Sequence, residues 1–223
     1  MSIPENLDNI RKSIDKLARE YDRDPASIHL IAVSKVQPEE RITQALQAGQ
    51  RLYGENRVQE AQQRWGARRQ DYPDFQLHLI GPLQTNKVKD AVALFDCIHT
   101  LDREKLARKL SDEMAAQGKK IPCLIQVNTG GEDQKSGIAP AELPDFVQFC
   151  KNDCGLNITG LMCIPPQDDP PALHFALLRK LAQENGLKEL SMGMSADYEW
   201  ALPLDATYIR IGTGVFGERS YSL

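Results

Sequence analysis

The sequence lacks the features that mark several large classes of protein. No apolar run among its 223 residues approaches the roughly 18 that a membrane-spanning helix needs. The first residues, MSIPENLDNIRKSIDKL, are polar and periodic, without the apolar core of a secretory signal. The net charge is −4 and the basic residues are dispersed, which does not favour a nucleic-acid surface. These absences predict a cytoplasmic protein that binds neither membrane nor nucleic acid.

The sequence also lacks a cysteine or histidine pattern that would hold a disulfide framework or a metal. Its five cysteines form no C-x-x-C motif, and an odd number without a secretory signal argues against disulfides. The four histidines are scattered, whereas a zinc site needs ligands at matching spacing. We therefore interpret the cysteines as small buried apolar residues and expect no metal. The cysteines are Cys97, Cys123, Cys150, Cys154 and Cys163.

Charge is mixed along the chain, and one basic cluster stands out. With 41% hydrophobic and 26% charged residues, the composition is that of a globular protein. The densest basic cluster, RWGARRQ at residues 64–70, lies on a predicted helix. Such a cluster is more often a solvated helix face than a nucleic-acid patch, and we interpret it as a solvated face.

Short apolar runs alternate with amphipathic segments along the whole sequence. The apolar runs, rich in branched residues, predict buried strands at residues 28–34, 51–55, 75–81, 96–101, 122–129, 157–164, 188–193 and 207–212. The segments between them predict helices at residues 38–49, 56–70 and 84–94, one that ends at Gly118, one that starts at Pro140, one at about 171–185, and a short one after the seventh strand. A further amphipathic helix at residues 4–21 precedes the first strand.

This alternation predicts a single parallel (β/α)8 barrel, a TIM barrel, with an extra N-terminal helix and one domain over residues 1–223. A doubly wound open sheet is the competing fold, and it usually has fewer strands. It also carries a glycine-rich fingerprint after its first strand, but AVSKVQPEE at that place contains no glycine. We detect no linker, internal repeat or low-complexity segment.

Lys35 is the first candidate for chemistry, because active sites of such barrels lie at the C-terminal ends of the strands. It closes an otherwise apolar strand. Burial lowers the pKa of a lysine, and a neutral amine attacks a carbonyl to form a Schiff base. The alternative is a lysine whose ammonium reaches water from the strand end. Taken alone, this residue leaves both interpretations open.

Two loops near the end of the sequence offer small groups that suit an anion. Gly212, Thr213 and Gly214 follow the eighth strand directly, and Ser195 follows the seventh. Glycines let backbone amides approach an anion, and the loops after strands seven and eight are the usual phosphate site of a barrel. A plain turn is the alternative. It is weakened because two adjacent loops offer such groups.

Arg210 is the third candidate. It lies two residues before Gly212, so both should point to the same side of the strand, into the barrel mouth. An arginine there needs an acceptor. The pyridine nitrogen of a cofactor is one such acceptor, and a buried acid is the alternative.

Seven motifs in order resemble the pyridoxal phosphate homeostasis protein family over essentially the whole sequence. They are AVSK (32–35), GENRVQE (54–60), HLIGPLQTNK (78–87), KSGI (135–138), GLM (160–162), SMGMSADYE (191–199) and RIGTGVFG (210–217). After SMGMSADYE the sequence departs from the family pattern, since WALPLDATY with Pro203 follows. The sequence leaves the path of the helix after strand seven open.

The resemblance implies a barrel of PLP fold type III, like the N-terminal domain of alanine racemase, with pyridoxal 5′-phosphate (PLP) as cofactor. It implies a Schiff base of PLP on Lys35. Lys135 matches a second lysine of the family near the barrel mouth. The other implied contacts are Ser195, Gly212 and Thr213 to the phosphate, Arg210 to the pyridine nitrogen, and Asn56 lining the cofactor pocket.

The resemblance also implies a PLP carrier in vitamin B6 homeostasis rather than an enzyme. We expect a monomer that passes PLP to apo PLP-dependent enzymes. A PLP-dependent amino-acid racemase is the first alternative. Racemases of related fold use a lysine on one face of the cofactor and a tyrosine on the other, supplied by an additional domain. Here eight alternations take up the sequence, and we expect no such domain.

Arg210 also favours a carrier over a racemase. An arginine facing the pyridine nitrogen disfavours protonation of that nitrogen, which weakens the ring as an electron sink. A third interpretation, a phosphosugar-binding barrel that uses the same loops, has no need of Lys35.

Overall fold

The computed structural model describes residues 1–132 and 134–218. Within them, eight parallel strands form a closed barrel in chain order, and the last strand pairs with the first. The TIM barrel predicted from the alternation is confirmed. The strands are β1 (His29–Val33), β2 (Leu52–Glu55), β3 (Gln76–Leu79), β4 (Cys97–Leu101), β5 (Cys123–Gln126), β6 (Ile158–Met162), β7 (Glu189–Met194) and β8 (Tyr208–Ile211).

The strands are short and apolar because both of their faces are covered. Strand β4 is buried along its whole length, and β1 is exposed only at His29. One face of each strand fills the barrel interior, and the other packs beneath the helices. The five cysteines are buried and unbridged, as we interpreted them from the sequence.

Helices surround the barrel at the places where the sequence predicts them. They are α1 (Ile3–Glu20), α2 (Glu39–Gln47), α3 (Val58–Trp65), α4 (Arg68–Asp71), α5 (Val88–Leu94), α6 (Glu104–Gln117), α7 (Leu143–Gln148), α8 (Pro171–Glu184), α9 (Tyr198–Ala201) and α10 (Thr213–Phe216). In the part of the chain that the structure describes, no helix is both long and apolar enough to cross a membrane.

The extra N-terminal helix supports the turn that follows β8. Helix α1 begins in a capping box, in which Ser2 and Glu5 each accept a hydrogen bond from the other's backbone N–H. It packs against α2 and α10. The side-chain amide of Asn6 donates to the carbonyl oxygen of Val215 in α10 at 3.0 Å. Through these contacts α1 braces one of the loops predicted to bind phosphate.

Three elements differ in detail from the prediction. The helix expected at residues 56–70 divides into α3 and α4 around Gly66, a residue that costs a helix about 1 kcal/mol relative to alanine. The helix expected from Pro140 starts at Leu143. After β7, the helix is one turn long and continues as a 3₁₀ turn, Leu202–Leu204, that contains Pro203. Proline lacks the N–H that further α-helix would use.

Two arginines of the basic cluster at residues 64–70 are largely covered and not solvated. The side chain of Arg64 is 13% exposed and pairs with Glu55 at 2.8 Å, whereas that of Arg68 is 15% exposed and pairs with Glu39 at 2.5 Å. Our interpretation from the sequence is wrong for these two arginines. Their partners lie in β2 and α2, so the run of charges alone does not reveal them.

Candidate functional site

The residues singled out from the sequence converge on one side of the barrel mouth. They belong to the carboxyl ends of β7, β8, β1 and β2, which are neighbours in the closed barrel. Arg210 is buried at 5% exposure, Thr213 is exposed, and the others are half-buried. Lys35 follows β1, Asn56 follows β2, Ser195 follows β7, Arg210 lies in β8, and Gly212 and Thr213 follow β8.

A buried carboxylate fixes the ends of β1 and β2. The hydroxyl of Ser34 donates to Glu55 Oε1 at 2.6 Å, and both residues are fully buried. Lys35 and Asn56 are the next residues along the two strands. Because the carboxylate of Glu55 links β1, β2 and α3, it sets the positions of Lys35 and Asn56. Two side chains of α3 also donate to this oxygen, Arg64 at 2.8 Å and Trp65 at 3.0 Å.

The chain turns sharply just after Lys35. Val36 has a φ of 58°, in the left-handed region that a β-branched residue rarely adopts. Its side chain does not gain burial from this conformation, since the residue is 64% exposed. The N–H of Gln37 donates to the carbonyl oxygen of Ser34 at 3.2 Å and closes the turn. Such strain persists where the surroundings impose it, commonly at functional sites, and here it sets the direction of the chain after Lys35.

Asn56 is held from the side of β3 by a glycine. A Cβ on Gly81 would lie 2.3 Å from the backbone oxygen of Asn56 and 2.6 Å from its Cα. The two backbones therefore touch at a distance that only glycine permits. This contact joins the loops after β2 and β3.

The loops after β7 and β8 also meet. Ser195 Oγ accepts a hydrogen bond from the N–H of Gly214 at 3.5 Å. Helix α10 starts at Thr213 without a side-chain cap on its N-cap residue Gly212. The loop after β7 is folded by Asp197, whose carboxylate accepts from the N–H of Met194 at 2.5 Å. Small hydroxyl and amide groups of two adjacent loops are thus brought together, as the sequence predicted.

Arg210 points into the barrel. Its Nη1 donates to Ser191 Oγ at 2.7 Å and its Nη2 to the carbonyl oxygen of Cys163 at 2.9 Å. Neither partner is a carboxylate, so the hydrogen bonds of the described residues do not support the alternative of a buried ion pair. Burial lowers the pKa of the Arg210 guanidinium from its usual value, although an arginine remains protonated in proteins.

A line of buried polar groups extends from Arg210 across the barrel interior. Ser191 Oγ lies 2.9 Å from His99 Nδ1, and His99 Nε2 lies 2.9 Å from His78 Nδ1. Burial lowers the pKa of His78 to about 4 and that of His99 well below its usual value, so both rings are neutral at neutral pH. A neutral imidazole donates through one nitrogen and accepts through the other. The line is consistently oriented when Ser191 accepts from Arg210 and donates to His99, and His99 donates to His78.

This line was missed from the sequence, where the histidines look scattered. The ligand atoms of His78, His99 and Cys97 in fact lie within 4.8 Å of one another. The two histidine nitrogens already bond each other, and burial raises the pKa of the Cys97 thiol well above its usual value, so the three form a neutral buried set. The available signal was one histidine in each of the runs that form β3 and β4, at a position whose side chain points into the barrel.

Lys135, the second lysine that the resemblance placed near the mouth, does not join this group. It lies after β5, across the barrel from β1. Its Nζ is 2.5 Å from Glu132 Oε2 and 3.5 Å from the carbonyl oxygen of Pro165. It lines a separate cavity of about 280 Å³ at the mouth.

Comparisons with known proteins find relatives that match almost the whole chain. The pyridoxal phosphate homeostasis protein of Vibrio cholerae serotype O1 is 41% identical over 231 residues, which covers 99% of this chain and 98% of that protein. The protein of the same name from Pseudomonas aeruginosa is 41% identical over 227 residues, 99% of this chain and 97% of that one.

The solved structure of PipY from Synechococcus elongatus without PLP superposes on this chain with a TM-score of 0.85 at 38% sequence identity. The match covers 97% of this chain and 100% of PipY. PipY with PLP bound superposes with a TM-score of 0.79 at 37% identity over the same shares, 97% and 100%. The family described as alanine racemase, N-terminal domain, matches residues 6–220. The chain therefore belongs to the alanine racemase N-terminal domain family and, within it, to the pyridoxal phosphate homeostasis proteins.

Proposed function

We propose that this protein binds PLP at the barrel mouth and carries it in PLP homeostasis, without strong catalysis of its own. The observation that carries the proposal is the convergence of a lysine, an arginine and two donor-rich loops on three neighbouring strands, β7, β8 and β1. The full-length relatives are named pyridoxal phosphate homeostasis proteins, and the related PipY has been solved with PLP bound.

The residues fit PLP group by group. Lys35 is half-buried at the end of an apolar strand, where its amine can hold the cofactor as a Schiff base. PLP supplies an aldehyde that condenses with an amine. The two loops that meet at Ser195 and Gly214 suit its phosphate through Ser195, Gly212 and Thr213. Asn56, fixed by Glu55 and Gly81, would line the pocket.

Arg210 favours a carrier over an enzyme. Ser191 and Cys163 use two of its hydrogen bonds, and the guanidinium carries five N–H donors in all. A further donor directed at the pyridine nitrogen would keep that nitrogen unprotonated. The ring then withdraws electrons less strongly, so Arg210 disfavours the racemase alternative.

We also propose the oligomeric state, the location and the recipients of this carrier. We treat residues 1–223 as one domain that acts as a monomer in the cytoplasm and releases PLP to apo PLP-dependent enzymes. The five free buried cysteines support a reducing compartment. The cavities at the barrel mouth support entry and exit of a small molecule.

The first test is covalent labelling. The purified protein should absorb visible light, and borohydride treatment followed by mass spectrometry should locate PLP on Lys35. Lys35→Ala should lose the covalent link and keep only weak binding through the phosphate contacts. Lys180→Ala, at an exposed lysine of α8 that pairs with Glu184 at 3.7 Å, should label like the unmodified protein. Labelling of another lysine in place of Lys35 would contradict the proposal.

A further inference from the structure

A cavity of about 530 Å³ lies where the loops after β2 and β3 meet. One wall is the start of α3, and the other is the chain from Pro82 to the 3₁₀ turn Thr85–Lys87. These walls belong to the GENRVQE and HLIGPLQTNK motifs, from which the proposed PLP site uses only Asn56. Cavities that hold small organic ligands measure about 300–1,000 Å³, so this one has room for such a ligand.

The cavity offers two flat surfaces above an apolar base. Val58 and Leu83 line it and are almost fully buried, at 5% and 2% exposure, so they close its base. Pro82 also lines it and is exposed, and its ring is therefore an apolar surface that a ligand can cover. The side chain of Arg57 is 78% exposed, and a guanidinium stacks on aromatic rings. A planar aromatic ring thus finds a surface on each of the two walls.

The polar side chains around the cavity are accessible and unused. Gln59 and Gln84 are exposed and Lys87 is half-buried. In the part of the chain that the structure describes, the two amides make no side-chain hydrogen bond and Lys87 forms no ion pair. A ligand can therefore reach these groups and bind them without displacing a partner within the protein.

The charge of the cavity favours an anion. The whole chain carries a net charge of −4, yet the charged residues that line this cavity, among those that the structure describes, are Arg57 and Lys87. Arg57 shares its charge with Glu60 at 3.2 Å, and the side chain of Glu60 is 38% exposed. Lys87 is thus the cation left for a ligand, and two amides and two flat surfaces surround it.

From these groups we infer that the cavity binds a purine nucleoside monophosphate, with its phosphate on Lys87. The base lies on Pro82 and Arg57, and its edge pairs with the amides of Gln59 and Gln84. A glutamine amide presents a donor and an acceptor side by side, as the edge of adenine does. Inorganic phosphate would leave the flat surfaces uncovered, and a neutral ring would leave Lys87 unused. The inference goes beyond the proposed PLP role and does not depend on it.

The test measures binding of AMP by calorimetry to the full chain after borohydride treatment, which keeps any bound PLP in its own site. AMP should bind saturably. Adenosine, which lacks the phosphate, should bind about tenfold to a hundredfold more weakly. Inorganic phosphate, which lacks the base, should bind about tenfold more weakly or worse. Failure of AMP to saturate, or equal affinity for AMP and inorganic phosphate, would overturn the inference and leave the PLP labelling result unaffected.

Three variants locate the site. Lys87→Met should abolish the preference for AMP over adenosine. Gln59→Leu combined with Gln84→Leu, two exposed positions, should weaken AMP and adenosine by about tenfold and leave inorganic phosphate unchanged. This double variant carries the test if Lys87→Met does not fold. Lys105→Met, in a separate cavity that Thr85 and Asn86 also line, should change no affinity. A Lys87→Met protein that folds and still prefers AMP would place the phosphate elsewhere and refute the assignment.

Discussion

Ser195 and Thr213 are two small residues whose hydroxyls we assign to the phosphate of PLP. Thr213→Ala and Ser195→Ala should each weaken PLP binding by about tenfold to a hundredfold, since a charge-assisted hydrogen bond contributes about 1.5–3 kcal/mol. The measurement is a PLP titration followed by absorbance. Thr43→Ala is the control, because Thr43 is on helix α2 and its hydroxyl donates to the backbone oxygen of Glu39 in the same helix at 3.0 Å.

Pyridoxal, which lacks the phosphate of PLP, provides a second test of these two hydroxyls. Pyridoxal should bind poorly to the unmodified protein and should be insensitive to both substitutions. If pyridoxal and PLP bind the unmodified protein equally well, the phosphate assignment of Ser195 and Thr213 is wrong.

Single residues were predictable from the sequence where strand geometry alone decides their direction. Arg210 shares the inward side of β8 with Gly212 because side chains alternate along a strand, and the structure buries it inside the barrel. His99 obeys the same alternation, yet its partners Ser191 and His78 lie on other strands. The distance across a barrel depends on the stagger of all eight strands, which the spacing of residues in one strand does not contain.

At the scale of elements, the loops after β2 and β3 are joined through Gly81. Gly81→Ala should destabilise the protein by about 1–3 kcal/mol, as overpacking does, because the added Cβ would lie 2.3 Å from the oxygen of Asn56. Displacement of Asn56 should weaken PLP binding as well. Denaturant unfolding and a PLP titration measure the two effects.

Gly118→Ala is a matched control for this substitution. Gly118 ends α6 with a φ of 63° and has open space around its Cα, so alanine there lowers stability through backbone strain alone. It should leave PLP affinity unchanged. An unchanged PLP affinity in Gly81→Ala as well would refute the role that we give to this contact.

The order of elements could be predicted from the sequence, and the contacts between loops could not. Apolar runs and helix caps are local properties, so they locate all eight strands within a few residues. The segment that follows β5, residues 134–138, is different. Its bridge between Val127 and Ile138 forms because the side-chain amide of Gln126 donates to the backbone oxygen of Ser136 and because Gly137 lets the two backbones approach closely. The spacing of residues within one element predicts neither contact.

At the scale of the whole molecule, the proposed role predicts little catalysis. Exchange of the α-proton of free amino acids in heavy water, followed by NMR across L- and D-forms, should run far below the roughly 10 per second typical of enzymes. The physical reason is that Arg210, held by Ser191, would keep the ring nitrogen of the proposed cofactor unprotonated. The borohydride-treated protein supplies the background rate. A rate near the enzymatic value for any one amino acid would restore the racemase alternative.

The pairing of β1 with β8, from His29 with Tyr208 to Ala32 with Ile211, also governs how the chain reaches its folded state. Synthesis delivers the strands in order, so β1 keeps one edge unpaired until β8 arrives. Such an edge is a template for pairing with the wrong strand or with another chain. Contacts between strands far apart in sequence also slow folding. The finished barrel has no edge at all, so the period in which this protein is most exposed to aggregation is its own biosynthesis.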